Sequence, residues 1–302
     1  MKQFGEAVRM GAGVVLALAA AWAQPGLAAE DRERGVGDVV YVPTPQIVVD
    51  EMLSMAKTGP NDFIIDLGSG DGRMVITAVK KYGARGFGVD LSDDLLGEAR
   101  NNAKANGVAD RAEFRKQNLF ETDLSQATVI TTYLLPSMNE KLRPKILDLK
   151  PGTRVVAHDY PFGEWRPDES KTLSVPEKLV GTPGISYVYR WTVPAKVAGR
   201  WQSEFKHPSG TTAVEFDFTQ AYQEFGGSAK FGGQTVKLPE GRLVGDQIAF
   251  TLLAKPGDNA SRHDFRGTVK GDSIEGTVSI GGANAPKLPW TAKLLARGST
   301  PR

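Results

Sequence analysis

The stretch "FIIDLGSGDGR" (residues 63–73) decides the fold. A short apolar run ends at Asp66-Leu67, glycines follow at positions 68, 70 and 72, and helix-compatible sequence opens after Gly72. A strand running through a glycine turn into a helix is the founding unit of a doubly wound α/β sheet. Gly68 and Gly70 permit tight backbone geometry and close approach of a ligand, which would face the N–H groups of the turn and of the helix N-terminus. The chain lacks the G-x-x-x-x-G-K-[ST] of a phosphate-binding Walker loop. A dinucleotide fingerprint would need its third glycine at position 73, which is Arg73. The actual pattern is D-x-G-x-G-x-G, with Asp66 and Asp71 in or beside the turn. Two carboxylates favour a ligand with a positive charge and a free ammonium over a pyrophosphate. Carboxylate–phosphate repulsion at an intermediate dielectric is on the order of a few kcal/mol.

Working outward, strand-like runs recur at 86–90, 111–116, 127–133 and 153–159, with helix-like segments over 72–82, 92–106 and 137–148. Apolar strands alternating with amphipathic helices predict a mostly parallel sheet covered on both faces. Ser92 is placed to cap the second helix, Asp93 and Asp94 suit its positive end, and Asn106-Gly107 stops it. "ISYVYRWTV" (185–193) is expected as a last, antiparallel strand. After the linker "AKVAGR" (195–200) the character changes. Glycine becomes dense, and short alternating runs predict a small all-β domain, barrel or sandwich, over 199–297. Within it "GRLVGDQIAF" (241–250) echoes "GTVKGDSIEG" (267–276), a repetition expected of two hairpin turns.

The chain has 302 residues and no cysteine, which removes disulfides, thiol nucleophiles and cysteine metal sites. Its three histidines, His158, His207 and His263, form no ligand motif, so no metal is expected. A net charge of +2 gives no reason to expect nucleic-acid binding. Residues 1–29 carry Lys2 and Arg9, an apolar run from Met10 to Ala23, and small residues at Ala21-Trp22-Ala23 and Gly26 to Ala29. That order predicts a secretory signal and a periplasmic location; an uncleaved inner-membrane anchor is the alternative. Residues 30–194 would then form the first folded domain.

The glycine turn and the segments after it resemble the class I S-adenosylmethionine (SAM) methyltransferases. Asp90 ends the second strand in "GFGVDLS", where an acid accepts hydrogen bonds from ribose hydroxyls. That role is shared with NAD enzymes. In "KQNLF" (116–120) Asn118 stands where the family often has an aspartate meeting the adenine amino group. "YVPTPQIVVDEML" (41–53), "VITTYLLPSMNEKLRPKI" (129–146) and "RVVAHDYPFGEW" (154–165) narrow the likeness. They resemble the FAM173-type lysine methyltransferases, which act on ATP synthase and on the adenine nucleotide carrier, and more distantly the Dot1-like histone lysine methyltransferases. The resemblance covers about residues 38–194. It implies a Rossmann-like class I methyltransferase sheet with a cofactor site at Tyr41, Thr44, Asp66, Gly68, Ser69, Gly70, Asp71, Gly72, Asp90, Leu91, Asn118 and Leu119.

The expected chemistry is in-line displacement at the sulfonium methyl, helped by positioning and exclusion of water. A lysine acceptor must also lose a proton from an amine of free pKa ~10.4, which an apolar, aromatic channel favours. Tyr133 and Pro136 after the fourth strand, and Asp159, Tyr160, Pro161 and Phe162 after the fifth, are the candidates to line that channel. Residues 41–44 are placed to fold over the cofactor. No residue stands out as the catalytic base. Two other readings remain: a small-molecule or lipid acceptor, or an exported binding protein whose nucleotide fold no longer catalyses. The export signal and the SAM motif conflict, since SAM is made in the cytosol.

Overall fold

The computed structural model describes residues 41–207, 210–231, 233–254, 261–281 and 285–300; residues 1–29, expected from the sequence to be an export signal, and residues 30–40 lie outside these. The first domain contains α1 (Gln46–Met55), β1 (Phe63–Leu67), α2 (Arg73–Tyr82), β2 (Arg85–Asp90), α3 (Asp93–Ala105), β3 (Ala112–Lys116), β4 (Val129–Thr132), α4 (Pro136–Leu147), β5 (Arg154–His158), β6 (Glu169–Val175) and β7 (Gly184–Thr192). Its strands form one 7-stranded sheet in the order β3-β2-β1-β4-β5-β7-β6. β1 to β5 run parallel, and β7 and then β6 add antiparallel. Central strands covered on both faces need side chains that avoid water on both, and Ile64, Ile65, Val129, Ile130, Val155 and Val156 are all fully buried. The chain steps from β1 to β2 and β3 on one side, then returns to β4 and β5 on the other. A crevice therefore opens beyond the C-terminal end of β1.

Local chemistry sets the helix ends. The Leu95 N–H donates to Ser92 Oγ (3.3 Å), and Asp93 and Asp94 occupy the first turn of α3. α2 ends at a left-handed Gly83 with Lys80 and Lys81 in its last turn. Helix α1 and strand β6 go beyond the sequence reading. Pro45 offers α1 no side-chain cap, and the helix is held by Val48, Val49, Met52 and Leu53, all fully buried.

The second domain is a closed barrel of eight antiparallel strands, β8 (Gly199–His207), β9 (Gly210–Ala221), β10 (Glu224–Phe231), β11 (Gln234–Val244), β12 (Gln247–Ala254), β13 (Ser261–Lys270), β14 (Ser273–Ile280) and β15 (Lys287–Arg297). Pairing of β15 with β8 closes it. Alternate side chains point inward, and a barrel of this size is filled by them. Trp201, Phe216, Phe218, Phe250, Phe265 and Trp290 are among the large side chains of that filling. The Gly-Asp echo is two hairpin turns, at Gly245-Asp246 and Gly271-Asp272, both glycines left-handed.

The two domains are joined by a built interface. Trp165 Nε1 donates to Gln223 Oε1 (2.9 Å), and Gln223 Nε2 donates to the Arg166 carbonyl (2.8 Å). Arg242 pairs with Asp168 (2.8 Å). The Ala195 N–H donates to the Gly245 carbonyl (2.8 Å), and Gly245 lies against Gly152, just before β5. These last contacts sit at the N-terminal end of β5. The barrel therefore docks on the opposite end of the sheet from the glycine turn.

Candidate active site

Three glycines shape the loop after β1. Gly68, Gly70 and Gly72 all have left-handed φ, at 83°, 50° and 82°. Two positions show why side chains are excluded. A Cβ on Gly70 would run into the Tyr41 ring, and one on Gly72 would meet Phe114 and Ala99. The loop is tied to β2 by the N–H groups of Gly68 and Ser69, which both donate to the Val89 carbonyl (3.0 and 2.9 Å). Asp90 then grips it from the other side. Its carboxylate accepts the N–H groups of Gly70 (3.0 Å), Leu91 (2.8 Å) and Ser92 (3.0 Å).

A cleft runs from this loop across the ends of β2, β3 and β4. Tyr41, Thr44, Asp66, Gly68, Ser69, Asp71, Asp90, Leu91, Asn118, Leu119 and Tyr133 line it. So do residues the sequence reading passes over, among them Arg73, Gln117, Thr132 and Met138. Gly70 and Gly72 shape the loop from behind. Pro136, Asp159, Tyr160, Pro161 and Phe162 do not line the cleft.

The two acids of the turn have different surroundings. Asp66 is buried, and its Oδ1 accepts the Thr131 hydroxyl (2.6 Å). Burial pushes its carboxyl up to about 7 and outweighs the lowering by the Thr131 hydrogen bond, with smaller upward pushes from Asp90 and Asp71. Asp71 instead makes a bidentate pair with Arg73, whose Nη2 lies 2.5 Å from Oδ2. This corrects the expectation that Asp71 offers free negative charge to a ligand. Its charge is already answered, and Arg73 also donates to the Thr44 carbonyl (2.9 Å). The pair thus anchors residues 41–44 over the turn, where Tyr41 OH accepts the Asp71 N–H (3.4 Å). Asn118 Oδ1 accepts the Phe120 N–H (3.0 Å), which leaves one lone pair for a ligand.

The polar groups of the cleft fit a zwitterionic, ribose-bearing ligand. Ser69 Oγ and Thr132 Oγ1 are buried without a hydrogen-bond partner, an arrangement that a polar ligand group relieves. Asp66 supplies a carboxyl for an ammonium, and Asp90 still presents carboxylate edge to the cleft.

Beyond the end of β5 lies a second polar cluster. His158 is fully buried, in contact through Nδ1 with Thr44 Oγ1 (3.3 Å) and through Nε2 with Ser186 Oγ (2.9 Å). Burial brings its pKa down to about 4, so its approach to Asp159 (3.5 Å) is not an ion pair at neutral pH. The Tyr133 ring packs over it (3.9 Å), and Tyr133 OH reaches Asp159 Oδ2 at 3.5 Å. Burial raises the Tyr133 pKa, with Asp159 adding to it. Asp159 Oδ2 is also 2.5 Å from the ammonium of Lys178, a residue the sequence gives no cause to single out. Phe162 corrects another expectation. It is fully buried among Trp165 (6.0 Å) and Trp191 (5.0 Å) and belongs to the core. Pro136 is an exposed first-turn residue of α4.

A family model for the ANTKMT methyltransferase domain matches residues 66–169. The chain is also 48% identical over 136 residues to a protein-lysine N-methyltransferase of Saccharolobus islandicus, a match covering 44% of this chain and 84% of that protein. It belongs to this methyltransferase family. The mouse adenine nucleotide translocase lysine N-methyltransferase is 31% identical over 166 residues, 54% of this chain and 71% of the mouse protein. Among solved structures, an RNA methyltransferase from Salinibacter ruber in complex with S-adenosyl-L-homocysteine is 50% identical. It covers 52% of this chain and 96% of its own, with a TM-score of 0.46. The cofactor of the methyltransferase is SAM.

The raised pKa of Asp66 makes binding pH-dependent in a definite direction. Below about 7 the ligand-free carboxyl is neutral; above it the carboxylate forms in a buried site. The stability of the neutral acid is fully present below its ordinary value of ~3.9 and is lost as pH rises through about 7. An ammonium beside Asp66 favours the carboxylate. Affinity for S-adenosyl-L-homocysteine should therefore rise between about pH 6 and 8, with release of a proton, and Asp66→Asn should flatten the profile. Calorimetry in buffers of different ionisation enthalpy reads both quantities. A pH-independent affinity in the wild type would remove the ammonium role from Asp66.

Proposed function

We propose that the chain methylates a lysine side chain of a protein. SAM supplies an electrophilic methyl carbon on a sulfonium. The observation that carries the lysine reading is an aromatic and carboxylate cluster that adjoins the cleft through Tyr133, which lines it. Tyr133 and Tyr160 stack at 6.4 Å beside the buried Asp159. The relatives' names, protein-lysine and adenine nucleotide translocase lysine N-methyltransferase, agree with it.

The residues here bind and orient more than they react. Buried aromatic walls disfavour an ammonium and so favour the neutral amine that attacks. A carboxylate favours the charged amine, and Asp159 therefore suits its recognition. Residues 41–44, fixed by Arg73, close one side of the cleft and exclude water from it.

The full chain is incubated with methyl-labelled SAM and a lysine-rich peptide, with RNA as a parallel acceptor. Methyl groups on lysine Nζ, located by mass spectrometry, are the expected result. Label confined to RNA, or absent from every lysine while the cofactor binds, would overturn the reading.

A further inference from the structure

Lysine is almost never fully buried unless paired, and leucine is among the residues most often buried. The segment after β6 reverses this order. The Lys178 side chain is 3% exposed, while its neighbours Leu179 and Val180 are 82% and 50% exposed. The segment is held by this ammonium and by the Lys178 backbone, whose N–H donates to the Val175 carbonyl (2.9 Å) and whose carbonyl accepts the Gly184 N–H (2.9 Å), and it leaves its apolar side chains in water.

The surroundings of that ammonium are those of a recognition site. It lies 2.5 Å from Asp159 Oδ2 and donates to the Ile185 carbonyl at 2.5 Å. Tyr133 OH reaches the same carboxylate oxygen. Tyr160 OH and the Lys178 Nζ both lie within 3.7 Å of where a Cβ would stand on Gly181. One carboxylate, one carbonyl and two phenols therefore gather near one amine at the C-terminal end of β5. Tyr133 joins the groups to the cofactor cleft, which it also lines.

Asp159 itself is strained. Its φ is 61°, the left-handed region that non-glycine residues seldom adopt. The backbone there is held by exchange with Tyr187: the Asp159 N–H donates to the Tyr187 carbonyl (2.7 Å), and the Tyr187 N–H donates to Asp159 Oδ1 (3.0 Å). Strain of this kind persists where the surroundings force it and gathers at ligand clamps.

We propose that Asp159, Tyr133, Tyr160 and the Ile185 carbonyl form the subsite for the acceptor's ammonium, and that Lys178 fills it when no acceptor is present. The proposal rests on the lysine reading of the function. An incoming lysine brings the same charge and donors that Lys178 withdraws, so the exchange leaves no buried carboxylate unpaired. Release of Lys178 exposes no apolar core, because Leu179 and Val180 are already outside. Left-handed Gly181 and Gly184 both follow Lys178, on the side leading into β7. Lys178 is thereby a competitor of the substrate.

The test is kinetic. Lys178→Met keeps the length of the side chain and removes the competing charge; its KM for a lysine-rich peptide should fall by about tenfold. Asp159→Asn, tolerated in the left-handed region, added to Lys178→Met so that the competitor is absent, should raise that KM by about tenfold over Lys178→Met alone while affinity for S-adenosyl-L-homocysteine holds. A merely structural ion pair predicts the opposite for Lys178→Met: a lower melting temperature and no gain in KM. That result in a folded variant overturns the proposal. Should Lys178→Met fail to fold, the wild type decides. Hydrogen exchange of the amides of residues 176–185, with S-adenosyl-L-homocysteine bound, should quicken when the peptide is added. Unchanged or slower exchange sinks the proposal. Absence of any lysine methylation by the wild type would instead remove the lysine reading, and this subsite with it.

Discussion

Asp90→Ala should weaken binding of S-adenosyl-L-homocysteine by about a hundredfold or more and lower the melting temperature as well. The carboxylate has two tasks. Toward the cleft it presents the acceptor edge that the methyltransferase resemblance assigns to the ribose hydroxyls. Toward the protein it accepts three backbone N–H groups, from Gly70, Leu91 and Ser92. A hydrogen bond to a charged group contributes about 1.5–3 kcal/mol. Loss of two such bonds to the ligand therefore amounts to about 3–6 kcal/mol, or two to four decades of affinity. Loss of the inner three leaves the turn's donors to water and loosens a loop whose glycines already carry a high conformational entropy. Asp90→Asn separates the tasks. Its oxygen can still serve Leu91 and Ser92, but its amide faces the Gly70 N–H with another donor. Affinity for the asparagine variant should fall between the wild type and alanine. Titration calorimetry with a thermal melt of each variant checks both effects; wild-type affinity in Asp90→Ala would sink the cofactor assignment at this residue.

The same turn shows how much of the site is legible in single letters. Glycines at 68, 70 and 72 answer to backbone geometry that few other residues adopt, and Ser92 answers to an unpaired helix N-terminus. Both are local demands. Asp71 shows the limit. Its negative charge is plain in the sequence, but its answer by Arg73 two residues on depends on how the loop turns back over residues 41–44. Helix α1 is harder still. Its Pro45 start carries no cap, and its apolar face is defined only by the sheet it covers. Lys178 is invisible in principle, since nothing local distinguishes a lysine in water from one drawn onto Asp159 by the return of β7. In the second domain the alternating pattern predicts an antiparallel architecture without choosing between barrel and sandwich. That choice lies in β15 meeting β8, as in Trp290 opposite Phe205, a pairing between residues far apart in the chain.

Trp165 lies within "YPFGEW", part of the resemblance that points to lysine methylation, yet its work in this chain is mechanical. It is fully buried, packed against Phe162, Trp191 (5.9 Å) and Tyr222 of the barrel (6.3 Å, nearly parallel). Its carbonyl accepts Trp191 Nε1 (2.7 Å), and its own Nε1 donates to Gln223. Trp165→Ala removes this whole volume and leaves Gln223 Oε1 without its donor. Truncations of this kind cost about 3–5 kcal/mol, which should lower the first melting transition by on the order of 10 °C. The barrel has its own aromatic core, with Phe250 and Phe265 stacked at 4.7 Å, and need not melt with the sheet. Calorimetry should therefore show two separated transitions in the variant where the wild type shows coupled ones. Trp165→Phe restores most of the packing but not the N–H, so its loss isolates the Gln223 hydrogen bond at about 1 kcal/mol. Affinity for S-adenosyl-L-homocysteine should hold in both folded variants, because the barrel docks away from the glycine turn. Loss of that affinity without loss of fold would mean that the two ends of the sheet are coupled and that the barrel acts on the cleft from a distance. An unchanged melting profile in Trp165→Ala would mean that the interface contributes nothing to holding the domains together.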